Sequence, residues 1–185
     1  MALIKTTAII LKTNNFFEHD KRCECFSPNL GKITCLAKYV SKSKKKNWAL
    51  EPLSIVNLTL FKGKSFYIIN QYSVVEYYET IRESFNSLQL SLFFLIIIKH
   101  TIHEDQENID LFNLLITSLK KLNKTKEIDE IKTDFFKNYL KIEGLQPKNI
   151  DLLSNKQLFQ IITNYLGKNI QTPLQLDDSS DILVK

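Results

Sequence analysis

The sequence predicts a two-part α+β chain, a small five-stranded barrel followed by an α-helical bundle, on three observations. Over residues 4–75 apolar and polar residues alternate with period two, and β-branched and aromatic types are enriched. After Val75 the apolar spacing changes to that of helices. Between the third and fourth strand patterns lies one long, lysine-dense connection that ends in Trp48. A length of 185 residues with 44% hydrophobic content suits one ordinary domain or two small ones and is ample for a packed core.

Strands are expected at residues 6–12, 21–27, 32–39, 53–61 and 64–75. Pro28, Asn29 and Gly31 mark the turn between the second and third, and Lys62-Gly63-Lys64 makes a short hairpin between the fourth and fifth. The remaining connection, residues 40–52, is the long one. Five antiparallel strands closed with one long loop fit the Greek-key barrel called the OB fold, whose loops and exposed strand face commonly hold single-stranded nucleic acid.

Helices are expected at residues 85–103, 108–123, 127–143 and 155–166. Phe93, Phe94, Ile97 and Ile98 make the first of these apolar nearly all round, which predicts burial at the centre of the bundle. Gly144 suits a helix C-cap, and Pro147 prevents continuation. The expected organisation is an OB domain at 1–80, a helical domain at 81–176 and a frayed tail at 177–185. No Gly/Ser linker intervenes, so the two parts are expected to pack directly against each other.

The net charge of +5 is only mildly basic, but it is unevenly placed. Residues 1–80 carry twelve Lys/Arg against six Asp/Glu, whereas residues 81–185 carry thirteen against fourteen, so the basic character belongs to the barrel half. The three cysteines, Cys23, Cys25 and Cys35, are odd in number and lack C-x-x-C spacing, which predicts reduced core residues of a cytosolic protein. No signal-peptide pattern opens the chain. The longest apolar stretch is interrupted by Asn86, Ser87, Gln89 and Ser91 and predicts no membrane span.

The connection from Lys38 through Lys42, Lys44, Lys45 and Lys46 to Trp48 is the leading candidate site. Ammonium groups displace counterions from a polyanion, and an aromatic ring offers a stacking face to a base. Lys12, Lys21, Arg22 and Lys32 extend the same positive surface, Arg22 with a planar guanidinium that pairs with phosphate and stacks on bases. The plainer reading of the lysines is a solvated loop. For Trp48, as for Phe16, Phe17 and Tyr39, packing at the barrel end is the favoured expectation. His100 and His103 sit three apart on one expected helix with Glu104 beside them but without a second ligand group elsewhere, and no Ser/His/Asp, Cys/His, P-loop or dinucleotide pattern is present. No metal, cofactor, small-molecule substrate or catalytic activity is therefore expected.

These residues carry a family likeness. Ala8-Ile9-Ile10-Leu11, then Glu18 and Asp20, Leu30-Gly31-Lys32, Ala37-Lys38, Lys42-Ser43, and Leu50 with Pro52 follow in the order and spacing of the bacterial recombination mediator RecO family, which this chain resembles. The likeness continues through Leu111-Phe112, Leu114-Leu115 and Gly144-Leu145 with Pro147, and so covers most of the chain. Phe17 stands where a glycine is usual, Tyr39 stands where a glycine usually follows the lysine, and Glu51 replaces the common glutamine. Many relatives carry a four-cysteine zinc cluster after the G-L-x-P segment; residues 149–185 contain no cysteine, so the resemblance leads to the expectation of no structural zinc and of a C-terminal end shortened relative to longer members.

The resemblance implies a cytoplasmic, nucleoid-associated DNA repair mediator of RecF-pathway recombination. Such a protein binds and anneals single-stranded DNA and, with the partner RecR, loads recombinase onto DNA coated by single-strand binding protein. Lys99, Phe112, Lys120 and Lys121 are a candidate site for the acidic, aromatic-ended tail of that protein. Two alternatives stand beside this reading: an RNA-binding OB module, and a non-catalytic protein-interaction scaffold whose lysines serve solubility.

Overall fold

A computed structural model describes residues 3–38, 48–125 and 127–167. Strands β1 (Leu3–Phe16), β2 (Asp20–Ser27), β3 (Gly31–Ala37), β4 (Ile55–Lys62) and β5 (Tyr67–Glu76) come first. Helices α1 (Glu79–Glu83), α2 (Phe85–Thr101), α3 (Ile109–Leu122), α4 (Ile128–Ile142) and α5 (Asn155–Leu166) follow. Single 3-10 turns occur at Trp48–Leu50 and Ile150–Leu152.

The strands close into a barrel in the order β1-β2-β3-β5-β4, with every neighbour antiparallel except the parallel pair β3 and β5. This is the OB barrel, with its helical bundle behind it. β1 is longer at both ends than the expected 6–12 because it serves two neighbours. Its first half, from Leu3 to Ile9, pairs with β4, and from Ile9 to Phe16 it pairs with β2. The register shifts between Ile10 and Lys12, and this bulge bends the strand where it changes partner. β5 starts at Tyr67 rather than at 64, because Lys64, Ser65 and Phe66 belong to the turn, where Gly63 N–H donates to the Phe66 carbonyl at 3.0 Å.

Small side chains fill the narrow barrel. Cys23, Cys25 and Cys35 are unpaired thiols, buried with Ala8, Ile10 and Ile33, and Cys23 lies directly across from Cys35. Burial pushes the Cys23 thiol from 9.0 up to about 11, and Cys25 is raised first by its hydrogen bond to Cys35 and then by burial.

In the bundle, α2 is buried on most of its sides through Leu90, Phe93, Phe94, Leu95, Ile97 and Ile98, and Phe94 stacks on Phe135 at 3.8 Å. α4 ends as a Schellman motif: Gly144 takes φ of 71°, its N–H donates to Lys141, and the Leu145 N–H reaches back to Leu140. α5 opens on a capping box between Ser154 and Gln157. α1 has no counterpart in the sequence reading, since five residues give no periodic signal. Arg82 holds it to the barrel, with Nε donating to the Tyr77 carbonyl at 2.8 Å and Nη2 to the Pro52 carbonyl at 2.7 Å.

Barrel and bundle share one apolar cluster. Ile9, Leu11, Phe26, Leu53 and Ile55 on the outside of the barrel are buried with the helices, and Phe26 meets Phe112 of α3 edge to face at 5.4 Å. Lys99 of α2 bonds Glu24 of β2 at 2.7 Å. Expected to run to 103, α2 stops at Thr101, where Ile102 turns extended and the chain runs along the barrel. There the His103 carbonyl accepts from Lys32 N–H at 3.0 Å, and Asn108 N–H donates to Pro28 at 3.2 Å while its side chain caps α3.

Three outcomes follow from this packing. Gly31 has φ of 65°, and a Cβ there would run into the Gln106 backbone. Gly31→Ala should therefore cost about 2 kcal/mol or more in urea unfolding, since strain and clash add. The thiols should resist a maleimide in the native protein and react on denaturation. Below the unfolded thiol's pKa both states hold the proton; above it only the unfolded chain releases it. Stability should accordingly fall as pH rises from 9.0 to about 11, which pH-dependent urea melts will read.

Candidate nucleic-acid interface

Strand register sets the outward face of the barrel in rows. Glu24 lies between Lys12 and Thr34, and Arg22 lies between Asn14 and Leu36. The bundle covers the barrel at Ile9 and Phe26 and reaches as far as Glu24, which Lys99 occupies. The Arg22 row lies beyond that cover. Because Lys99 neutralises Glu24, that carboxylate does not oppose the positive charges of Lys12, Arg22 and Lys32, and Asp20 at the start of β2 is the other acidic side chain of outward parity on the strand.

At one end of this face two loops meet. The β1–β2 turn carries Phe17, which is 80% exposed and takes φ of 56°. The departure from glycine at this position therefore keeps the left-handed backbone at a cost of about 1–2 kcal/mol. Phe16 packs edge to face on Phe17 at 4.5 Å and on Phe66 of the β4–β5 turn at 6.1 Å. The Arg22 guanidinium lies 5.0 Å from the centre of the Phe66 ring. Its Nε is buried with no hydrogen-bond partner among the described residues.

Beside these rings opens a cleft of about 360 Å³, whose cations are Arg22, Lys32, Lys62 and Lys64. Phe66 and Tyr67 give it aromatic walls, and Glu104 and Asp105 of the α2–α3 connection complete the lining. The edge-to-face packing of the rings presents π-faces as well as positive charge, the two components that hold a flexible polyanion with planar bases.

The other expected site residues fall in different places. Lys21 shares the inward parity of Cys23 and sits opposite Ala37 at the barrel mouth, so it diverges from Arg22. Lys12 and Lys38 are exposed, on β1 and just after β3. Lys42, Lys44, Lys45 and Lys46, like Tyr39 and the 177–185 tail, lie outside the described residues. Trp48 does not pack as core. It stays 42% exposed and meets Tyr77 only edge to face at 4.7 Å, because Ala49 and Leu50 of the same turn close the barrel end. Arg82 lies 3.9 Å from the other aromatic partner, Tyr77.

The expected peptide site is not brought together. Phe112 is buried against Phe26, Lys99 bonds Glu24, Lys121 bonds Asp134 at 2.9 Å, and Lys120 is exposed two turns from Phe112. Among the described residues no cluster of three or more His, Cys, Asp or Glu is placed to hold a metal, and no helix is long and apolar enough to cross a membrane. Sequence reasoning missed Phe66, Lys62 and Lys64 as a site. Their signal was the run Lys-Gly-Lys-Ser-Phe, read only as a hairpin.

Fold and surface together define an OB barrel with an aromatic and cationic loop face, docked on a helical bundle. Residues 1–78 match the family described as Recombination protein O N terminal. Proteins called DNA repair protein RecO are similar over more of the chain. That of Alkaliphilus metalliredigens is 31% identical over 147 residues, 78% of this chain and 60% of the relative. Those of Clostridium perfringens and Acetivibrio thermocellus are 32% and 34% identical, over 66% and 68% of this chain and 50% of each relative. Residues 1–78 thus match the RecO N-terminal domain, and the similarity to RecO proteins runs on into the helical half. The chain spans between half and three-fifths of the length of these relatives.

Proposed function

We propose that this chain acts in DNA repair and recombination as a non-catalytic mediator that binds single-stranded DNA and anneals complementary strands. The observation that carries the reading is the grouping of Phe16, Phe17, Phe66 and Arg22 where the two loops meet on an open, positively charged barrel face. Loops and strands at this position are the common oligonucleotide surface of OB barrels. The names of the relatives support the biological setting.

Mechanistically, phosphates run along Lys12, Lys32, Lys62 and Lys64, while bases stack on Phe17 and Phe66. Stacking is tolerant of sequence because every base has a π-face. A strand held by its backbone and by ring faces keeps its pairing edges accessible to a complement, which is the condition for annealing. The lysines of residues 42–46 lead to Trp48, whose exposed ring and Tyr77 neighbour add a second stacking position. RecR and the tail of single-strand binding protein are the proposed protein partners, and recombinase loading the proposed outcome.

Binding, stability, annealing and salt-dependence measurements test this. Phe17→Ala and Phe66→Ala should each weaken binding of an oligo(dT) by about 1–3 kcal/mol. Phe17→Ala should shift urea stability by no more than about 0.5 kcal/mol, because that ring is exposed. Annealing of complementary strands should collapse when Lys42, Lys44, Lys45 and Lys46 are changed to alanine. The log–log salt slope of binding should move toward zero by about 3, four contacts at roughly 0.7 each. Unchanged annealing moves the strand path onto the Phe17–Phe66 face alone. Absence of DNA binding by the unaltered protein favours a protein-interaction scaffold, and tighter binding of RNA than of DNA of equal length favours an RNA module.

A further inference from the structure

A surface shaped only for phosphates would exclude carboxylates, yet the cleft beside Phe66 is lined by two, Glu104 and Asp105. Both are held there by the fold. Glu104 bridges through its backbone to Gly31 and Lys32. Asp105 takes φ of 54°, a left-handed conformation that Asp and Asn tolerate better than other side chains. Tyr67 Oη donates to Asp105 Oδ1 at 3.5 Å. Among the described residues neither carboxylate is ion-paired with a lysine of the cleft. Their placement therefore comes from the docking of the α2–α3 connection rather than from attraction to the basic wall.

A cleft with both charge signs and an aromatic wall matches one nucleotide better than it matches a run of phosphates. Its volume of about 360 Å³ falls at the small end of ligand sites. Cations take the phosphate, Phe66 takes the ring face, and the carboxylates accept hydrogen bonds from a base edge. Cytosine offers the N4 amine as a donor at the place where thymine presents the O4 acceptor. Lone pairs then face lone pairs for thymine, while ring size and stacking stay the same.

We propose that this cleft is a single-nucleotide subsite that selects a base bearing an exocyclic amine, cytosine over thymine, with Glu104 and Asp105 as the acceptors. It rests on the single-strand reading above and adds a base preference to binding that is otherwise tolerant of sequence.

The test titrates the full chain, at neutral pH and one salt concentration, with oligo(dC), oligo(dT) and oligo(dU) of about 20 nucleotides, followed by fluorescence anisotropy. Oligo(dC) should bind about fivefold or more tighter than oligo(dT), with oligo(dU) matching oligo(dT), because the thymine methyl is not the cause. The double variant Glu104→Gln with Asp105→Asn keeps side-chain size and the left-handed backbone. An amide both donates and accepts, so this variant should bind dC and dT within about twofold of each other. Equal binding of dC and dT by the unaltered protein overturns the subsite while leaving strand binding intact. A preference that persists in the double variant overturns the role of the carboxylates. Failure to bind any of the oligonucleotides overturns the single-strand reading along with the subsite.

Discussion

Phe26 of β2 meets Phe112 of α3, and two residues earlier on the same strand Glu24 meets Lys99 of α2. This seam between barrel and bundle is the constraint on which the rest of the molecule depends. An OB barrel has an outer surface on every strand, and only part of it can serve a ligand. Here apolar side chains at Ile9, Phe26 and Ile55 commit one part to the helices, and the period-two alternation leaves Arg22 on the part that remains open. The ion pair does electrostatic duty as well as structural duty, since an unpaired Glu24 would sit in the middle of a face that otherwise carries Lys12, Arg22 and Lys32. The backbone bonds from Lys32 to His103 and from Asn108 to Pro28 then carry the α2–α3 connection to the rim of the cleft. The acidic side of the cleft is thus a product of domain docking.

Backbone strain marks the same region. Of the four described residues that hold positive φ without being glycine, Phe17 and Asp105 are found at the aromatic loop and at the cleft, while Leu53 and Tyr78 are buried where the barrel meets the helices. Residues in this conformation persist only where their surroundings over-determine them, and they concentrate where a side chain must be presented. At Phe17 the gain is an exposed ring braced by Phe16; at Asp105 it is a carboxylate turned toward a basic wall. Gly31 shows the opposite solution, a position where contact with Gln106 leaves no room for any side chain.

Much of this was legible in the sequence for physical reasons that can be named. Alternation over residues 4–75 and the turn residues Pro28, Asn29, Gly31 and Gly63 located all five strands, because one face of each strand is buried and one is not. The all-round apolar character of α2 forecast its central burial, and Gly144 forecast the end of α4. Arg22 and Lys32 were identifiable as polar strand positions, but nothing local distinguished Lys21, which the same alternation turns to the barrel mouth. Trp48 misled because the residue that closes a barrel end depends on how a single 3-10 turn is wound, and here Leu50 takes that place. Phe112 and Lys99 looked like a peptide site because their true partners, Phe26 and Glu24, are more than seventy residues away in sequence.

The sequence by itself determined the elements, the basic bias of the barrel half and the likeness to RecO proteins, since these rest on periodicity, composition and motifs that are local to the chain. Only the tertiary structure decided which face of the barrel stays open. It also decided that Phe16, Phe17, Phe66 and Arg22 converge from three separate segments, and that Glu104 and Asp105 face a basic wall. The reason is closure: strand pairing around the barrel and the docking of α2 and α3 bring together residues whose sequence neighbours carry no record of the meeting.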